Sequence, residues 1–225
     1  MRIRSLALGL FAAVSGLALC AQSGAAAADP SALVASVGAQ INQVLADNSL
    51  SAPERRQRFH DIIDQRADFP RISCFVLGRY WQGSSDSFRR EFSRVFEDYV
   101  IQSMITRFAQ YSGDSFYVTG ARAEGEHSTV VLTTIDYPNG VPAARVDWRL
   151  RDTPNGFKIV DVSDSGVSLA QTYREEFASV IRHDGGQVAA LIPDMRQKLD
   201  GQTSGRASGN ARINAAYAKV DECAP

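Results

Sequence analysis

The stretch AARVDWRLR, residues 143–151, decides the fold because apolar and charged side chains alternate along it. Every second residue is apolar and faces one side of an extended chain: Ala144, Val146, Trp148 and Leu150. The residues between them are charged and face the other side: Arg145, Asp147, Arg149 and Arg151. A period of two is typical of a β-strand with one face on a core and the other in solvent.

Similar segments lie on both sides of this stretch, and they extend the single strand to a sheet. Residues 115–122, 128–137 and 157–163 are rich in β-branched and aromatic side chains. The strands are separated by turn-forming tripeptides, Pro-Asn-Gly at 138–140 and again at 154–156. This order predicts an antiparallel meander of four strands with one covered face.

Upstream of the sheet, apolar residues recur every three or four positions, which predicts helices. The first helix starts near Ser31, and Ser51 with Glu54 forms a capping box for the second. A short helix that is apolar nearly all round follows Asp68-Phe69-Pro70 and runs to Gly83. The longest predicted helix covers residues 86–110 and carries four phenylalanines and one tyrosine, Tyr99.

Downstream of the sheet, two more helices are predicted. Ser168 and Gln171 have the spacing of a capping box, and Gly185-Gly186 ends the helix that follows. In the last helix we expect a kink at Pro193, because a proline inside a helix removes a hydrogen bond. Helices before and after an antiparallel sheet place the chain in the α+β class.

Both ends of the chain are expected to lie outside the fold. Arg2 and Arg4, an apolar run of about 14 residues and an A-x-A site before Asp29 predict a cleaved secretory signal peptide over residues 1–28. The alternatives are an uncleaved anchor, or a lipoprotein modified at Cys20, which the large Leu19 before it disfavours. Residues 29–200 are the predicted domain, and residues 201–225 a flexible polar tail.

Charge and cysteine content limit the function further. Removal of Arg2 and Arg4 leaves 22 basic and 25 acidic residues, a net charge of −3, so binding to nucleic acid is not expected. Two cysteines survive cleavage, Cys74 and Cys223. An oxidising compartment allows a disulfide between them. A buried free thiol at Cys74 and an exposed one at Cys223 is the alternative.

No group of residues predicts catalysis. His60, His127 and His183 are far apart in sequence and are expected at the surface. Glu124 and Glu126 could act as an acid/base pair, but they flank a turn, where carboxylates are usually solvated. Asp161 and Asp164, at the end of a strand, could hold a water. No nucleophile, phosphate-loop, dinucleotide or zinc motif is present, so we expect no catalytic residue, no metal and no cofactor.

The abundance of apolar and aromatic side chains is a stronger signal of function than any of these polar groups. Eleven Phe, seven Tyr and two Trp concentrate on the helices and on one sheet face. They fit a filled core, and they fit equally well a cavity for an apolar ligand between a curved sheet and its helices. Composition does not decide between the two.

Three segments resemble a known family, the periplasmic component of the Mla phospholipid-transport system, also called the toluene-tolerance family. They are DFPRISCFVLGRYW at 68–81, FKIVDV at 157–162 and GVSLAQTYREEF at 166–177. The order and spacing hold over about residues 30–200. Residues 75–81 also resemble a hopanoid-biosynthesis-associated branch of that family. Cys74, Pro193 and the tail with Cys223 depart from the pattern.

The resemblance implies a fold like nuclear transport factor 2, with a helical annex and an apolar cavity. It also implies a periplasmic carrier, without enzymatic activity, that shuttles phospholipid or a hopanoid-type lipid between an outer-membrane complex and an inner-membrane ABC transporter complex. Arg79 is our candidate for contact with a head group or partner, and Arg89 and Arg90, which we expect to be exposed, could attract a phosphate or a partner as well. The candidate residues for the lipid cavity are Phe92, Phe96, Tyr99, Val100, Trp148, Leu150, Ile159 and Phe177.

Two other functions remain open at this level. The first is an enzyme of the hopanoid pathway on the same fold, which Asp161 or Glu126 buried in a cavity would favour. The second is an assembly factor for a transporter, with a filled core. An apolar cavity of several hundred Å³ would separate the carrier from the assembly factor.

Overall fold

The computed structural model describes residues 29–108, 115–136 and 144–202. The predicted signal peptide, most of the predicted tail and the tripeptide at 138–140 lie outside these ranges. Seven α-helices are assigned within them: α1 (Pro30–Ala46), α2 (Ala52–Arg66), α3 (Phe69–Leu77), α4 (Arg79–Gln82), α5 (Asp86–Phe108), α6 (Leu169–His183) and α7 (Leu191–Gln202). The strands are β1 (Ser115–Ala123), β2 (Ser128–Asp136), β3 (Ala144–Arg151), β4 (Lys158–Asp164) and β5 (Val167–Ser168).

The sheet is the predicted antiparallel meander with a short fifth strand added. Its order is β1-β2-β3-β4-β5, and every neighbouring pair is antiparallel. Trp148 on β3 lies between Val131 on β2 and Val162 on β4. Burial alternates along β3 as the sequence predicts, with Val146, Trp148 and Leu150 buried. The α+β prediction is therefore confirmed.

The two predicted capping boxes form to different extents. At α2 both halves are made: the Ser51 N–H donates to Glu54 Oε2 over 2.9 Å, and the Glu54 N–H donates to Ser51 Oγ over 3.4 Å. At α6 the Gln171 N–H donates to Ser168 Oγ over 3.0 Å. The Gln171 side chain, however, donates to Glu175, so half of the predicted box is missing.

The expected single helix up to Gly83 is broken at Gly78, which was not predicted. Gly78 has φ +52°, a conformation that side-chain-bearing residues rarely adopt. A Cβ at this position would lie 2.9 Å from the Arg174 guanidinium. Arg174 itself donates to the Phe75 carbonyl over 3.0 Å, which fastens the end of α3 to α6. The backbone of this turn therefore favours glycine, and a side chain at this position would also have to displace the Arg174 guanidinium.

The expected kink at Pro193 is wrong. A 3₁₀ turn, Val188–Ala190, precedes α7, and α7 begins at Leu191. Pro193 thus stands in the first turn, where a missing N–H costs no helical hydrogen bond. The apolar periodicity runs through the 3₁₀ turn, and so the sequence pattern places the helix start too early.

The buried side chains form two clusters. The sheet-side cluster joins α1, α2, the start of α3 and part of α5 to the sheet. Its buried members are Val34, Val37, Ile41, Leu45, Phe59, Ile63, Phe69, Ile101, Met104, Val131, Ile135, Val146, Trp148, Leu150 and Ile159. The helical cluster joins α3 to α7, and its buried members are Val76, Leu77, Trp81, Phe92, Val95, Phe96, Tyr99, Ala170, Tyr173, Phe177, Ile181, Leu191, Ile192 and Met195. Ile72 and Val100 pack against both.

Candidate functional site

A small apolar cavity lies at the boundary between the two clusters. Its volume is about 50 Å³, and it is lined by β3 and β4, the end of α2, and parts of α3, α5 and α6. The residues that line it are Ile63, Ala67, Phe69, Ile72, Phe96, Val100, Met104, Trp148, Ile159, Val160, Asp161, Val162, Leu169, Ala170 and Tyr173. All but Asp161 have apolar or aromatic side chains, so the cavity offers little to a polar ligand.

Simple periodicities explain how the cavity is lined. Phe96, Val100 and Met104 repeat every four residues and therefore form one stripe along α5. Trp148 projects from the covered face of β3, as does Ile159 from β4. Hydrogen bonding from the Asp68 N–H to the Ile159 carbonyl, over 2.9 Å, holds the start of α3 against β4.

Four of the eight candidate lipid-cavity residues line this cavity: Phe96, Val100, Trp148 and Ile159. Phe92, Tyr99 and Phe177 lie in the helical cluster instead, and Leu150 lies in the sheet-side cluster. The ring centroids of Phe92 and Phe177 are 5.8 Å apart, with the rings nearly perpendicular. The structure thus places half of the set on the cavity and the other half inside the adjoining cores.

Eleven of the fifteen lining residues were not among the sequence candidates for the cavity; they include Ile63, Phe69, Ile72, Met104, Leu169 and Tyr173. Met104 could have been found, because it continues the four-residue stripe of Phe96 and Val100. The contributions of α2, α3 and α6 had no comparable signal. They depend on how those helices pack against β4, which periodicity within a helix does not describe.

Asp161 is the one charged residue at the cavity, and its carboxylate is fully engaged. It is 7 % exposed. Its oxygens accept hydrogen bonds from the Ser168 hydroxyl over 2.6 Å, from the Ala170 N–H over 3.1 Å and from Arg149 over 3.0 Å. A carboxylate at the first turn of α6 also suits the helix dipole. Asp161 therefore ties β3, β4 and α6 together at the edge of the cavity.

Arg149 joins a second carboxylate to this group. It donates through Nε and a terminal nitrogen to Glu124, which follows β1. The hydrogen bond from Arg149 lowers the pKa of Glu124, and the same bond raises the pKa of Arg149. Because the Arg149 side chain is 40 % exposed, this chain of charges runs from the cavity edge to solvent.

The histidines differ from the sequence expectation at one position. His127 and His183 lie at the surface, as expected. His60 is buried, 8 % exposed, and its Nε2 lies 3.4 Å from Glu97 Oε1 between α2 and α5. The expectation of a surface His60 is therefore wrong, because α5 covers the polar side of α2. Glu126, whose side chain is 88 % exposed, is not among the residues that line the cavity.

The basic residues considered for a head group or partner have different environments. Arg79 is exposed, and it donates to the Tyr80 hydroxyl over 2.8 Å. Arg90 is also exposed. Arg89 is not a solvated cation, since it donates to the carbonyls of Trp81 and Gln82 over 2.9 and 3.1 Å. Arg89 thus supplies hydrogen-bond donors for the carbonyl groups at the end of α4. Arg79 stays available for contact with a head group or a partner.

Cys74 is half-buried on α3 and disulfide-bonded. The chain's other cysteines, Cys20 and Cys223, lie outside the described residues. In the parts of the chain that the structure describes, no three His, Cys, Asp or Glu side chains gather as a metal site would require. In those same parts, the helices are too short or too polar to cross a bilayer.

Comparison with known proteins gives two matches. The model of the MlaC protein family matches residues 35–197. Among solved structures, a phospholipid-binding protein from Ralstonia solanacearum, in complex with a phospholipid, has a TM-score of 0.66 and 26 % sequence identity. That match covers 78 % of this chain and 99 % of the Ralstonia chain. Among curated proteins, no sequence matches significantly.

Proposed function

Because this chain belongs to the MlaC family, we propose that it carries a phospholipid across the periplasm, with the acyl chains held between the sheet and the helices. The observation that carries the proposal is the likeness to the Ralstonia protein, whose structure contains a phospholipid and which this chain matches over 99 % of its length. The apolar cavity at the boundary of the two clusters is the natural place for the acyl chains.

The physical need for such a carrier is large. Two acyl chains hold roughly 30 methylenes, and exposure of each to water costs about 0.8 kcal/mol, so the pair costs about 25 kcal/mol. A lipid therefore crosses an aqueous space only inside an apolar cover. The lining described above meets this need because its one carboxylate, Asp161, is already neutralised by Arg149 and by donors from α6.

The cavity must widen before it can take a lipid. It measures about 50 Å³, whereas ligand pockets typically occupy about 300–1,000 Å³. Since the cavity follows the boundary between the clusters, separation of β3 and β4 from α5 and α6 would enlarge it. Acyl chains would then replace the apolar contacts that are lost, and the cost of opening would be largely offset.

The same small volume favours a second candidate, an assembly factor with a filled core. Under that hypothesis the two clusters stay together and no lipid enters. An enzyme has no comparable support, because the oxygens of Asp161 are engaged and Glu126 is exposed.

For the carrier, we propose that the partners are an outer-membrane complex and an inner-membrane ABC transporter complex. The cargo is phospholipid, with a hopanoid-type lipid as the alternative.

Native mass spectrometry and lipid extraction test the carrier. The protein is purified from its own periplasm without detergent, and we expect one co-purifying phospholipid per chain. Val100→Trp fills the cavity and should reduce lipid occupancy at least about tenfold, since a bulky ring then occupies the acyl-chain site. Val167→Trp is the matched control, because Val167 is 61 % exposed on β5.

Circular dichroism shows whether both variants are folded. If the wild-type chain is free of lipid and stays so after incubation with phospholipid vesicles, the carrier proposal is wrong and the assembly factor is favoured. Equal lipid occupancy in both tryptophan variants would mean that lipid binds elsewhere on the chain. A hopanoid in place of phospholipid in the extract would identify the other cargo.

A further inference from the structure

A disulfide bond is attached to α3, the helix that forms part of the cavity wall. Cys74 lies on α3, two residues after Ile72, which lines the cavity, and it is disulfide-bonded. On the other side of the same turn, Phe75 is 44 % exposed, with the Arg174 guanidinium 5.0 Å from its ring centroid. Any restraint on Cys74 therefore acts directly on the helix that supplies Phe69 and Ile72 to the lining.

The cysteine content of the chain limits the choice of partner. There are three cysteines, so Cys74 is bonded to Cys20 or to Cys223. Cys20 belongs to the apolar segment that has the features of a cleaved signal peptide. We propose that Cys74 is bonded to Cys223 in the exported chain, and that this bond holds α3 in place as a fixed wall of the lipid cavity. The second half of this inference rests on the proposed function.

Chain length permits the bond. The described part of the chain ends at Gln202, and Cys223 follows 21 residues later. A chain of that length can span up to about 70 Å when extended, more than the width of a domain of this size.

The chemistry fits an exported protein. One cysteine thiolate attacks the disulfide of a donor protein and forms a mixed disulfide, and the other thiolate then displaces the donor. The two thiols lose two protons and two electrons in total, and the donor disulfide is reduced to a dithiol. Compartments outside the cytoplasm supply such donors.

The bond matters because α3 is weakly held by its own structure. It has nine residues, fewer than a helix needs to be stable alone, and it ends at Gly78. Its position depends on packing against α5, α6 and β4. Short elements of this kind open locally before the whole domain unfolds. Removal of the bond should therefore loosen α3 first, and a lipid behind Phe69 and Ile72 would escape faster.

A peptide map tests the bond itself. The exported protein is treated with a thiol-blocking reagent, digested with trypsin without reductant and analysed by mass spectrometry. We expect residues 72–79 joined to residues 220–225, and this pair should disappear on reduction. An alkylated Cys74, or Cys74 joined to any other peptide including one with Cys20, would overturn the assignment.

Cysteine variants test the restraint. Cys74→Ala, Cys223→Ala and the double variant should lose the same amount of thermal stability, on the order of 5–10 °C, because each removes one and the same bond. All three should release a fluorescent phospholipid to acceptor vesicles on the order of threefold to tenfold faster than the wild type. Cys20→Ala, which should leave the bond in place, is the matched control.

The outcomes separate this inference from the proposed function. The role of the bond as a restraint would be overturned if the double variant lost as much thermal stability as the two single variants together. It would also be overturned if lipid release were unchanged in all three variants. If even the wild-type chain takes up no lipid, the proposed function fails, whereas the peptide map and the melting temperatures still decide whether Cys74 and Cys223 are joined.

Discussion

The helical cluster and the sheet-side cluster are packed in different ways. In the helical cluster, Phe92, Phe96, Tyr173 and Phe177 interlock, with centroids 5.5–6.1 Å apart and several rings edge to face. The sheet-side cluster is mostly aliphatic. The cavity lies where the two meet. Aromatic residues are therefore concentrated in the helical cluster, where the core is filled. The space for a ligand lies at the boundary between this cluster and the mostly aliphatic sheet-side cluster.

The largest expected effect tests whether the helical cluster is closely packed. Phe177 is fully buried and contacts the rings of Phe92, Phe96 and Tyr173. Phe177→Ala should lower the free energy of unfolding by about 3–5 kcal/mol, because it removes a large side chain and leaves a void. Urea denaturation measures this loss. Phe177→Leu should cost clearly less, and a loss below about 1 kcal/mol for alanine would mean that the cluster collapses onto the void.

The next effect concerns the carboxylate that links the two regions. Asp161→Ala leaves the Ala170 N–H and the Ser168 hydroxyl without their acceptor and Arg149 without one of its two carboxylates. We expect a loss of about 2–3 kcal/mol in the free energy of unfolding, reduced from a fully buried pair because Arg149 is partly exposed. Ser168→Ala should cost about 1 kcal/mol, as the loss of a helix cap. If the two variants lost the same free energy of unfolding, capping of α6 alone would explain the contribution of Asp161 to stability.

A smaller effect tests the sheet-side cluster. Gly38 on α1 faces the Phe116 ring on β1 so closely that a Cβ there would overlap it. Gly38→Ala should lower the free energy of unfolding by about 1–2 kcal/mol, since overpacking outweighs the gain in helix propensity. The double variant with Phe116→Leu should recover part of the loss. Without any recovery, the cost would have to come from a source other than this contact.

The smallest effect is a pH dependence of stability at Glu124, the solvent end of the network formed by Asp161, Arg149 and Glu124. Arg149 lowers the pKa of Glu124 below its usual 4.5 in the folded state. The stabilisation is therefore present above about pH 4.5 and is lost as the pH falls through the lowered folded pKa. Glu124→Gln should flatten the dependence of stability on pH between about 5 and 3 by less than about 1 kcal/mol, because the site is partly exposed. Glu126→Gln is the control and should change nothing.

Local patterns in the sequence predicted local structure well. The alternation around Trp148 gave β3 its two faces, and the Ser51–Glu54 spacing gave α2 its first residue. Two of the failures share a cause. Gly78 breaks a helix at the point where Arg174 of α6 contacts the end of α3, and His60 is buried because α5 lies over α2. In both cases the deciding contact comes from a residue far away in the chain.

The cavity shows the same limit. The sequence by itself determined which side chains are apolar and which face of each element they occupy, because these follow from the periods of the helix and the strand. That was enough for an α+β fold with an apolar interior, and for Phe96, Val100, Trp148 and Ile159 as lining candidates. Only the tertiary structure decided that Phe92 and Phe177 fill a core while Phe69 and Ile72 border a void. Whether an inward side chain meets another side chain or empty space depends on how two elements are placed, and no repeat within one element records that.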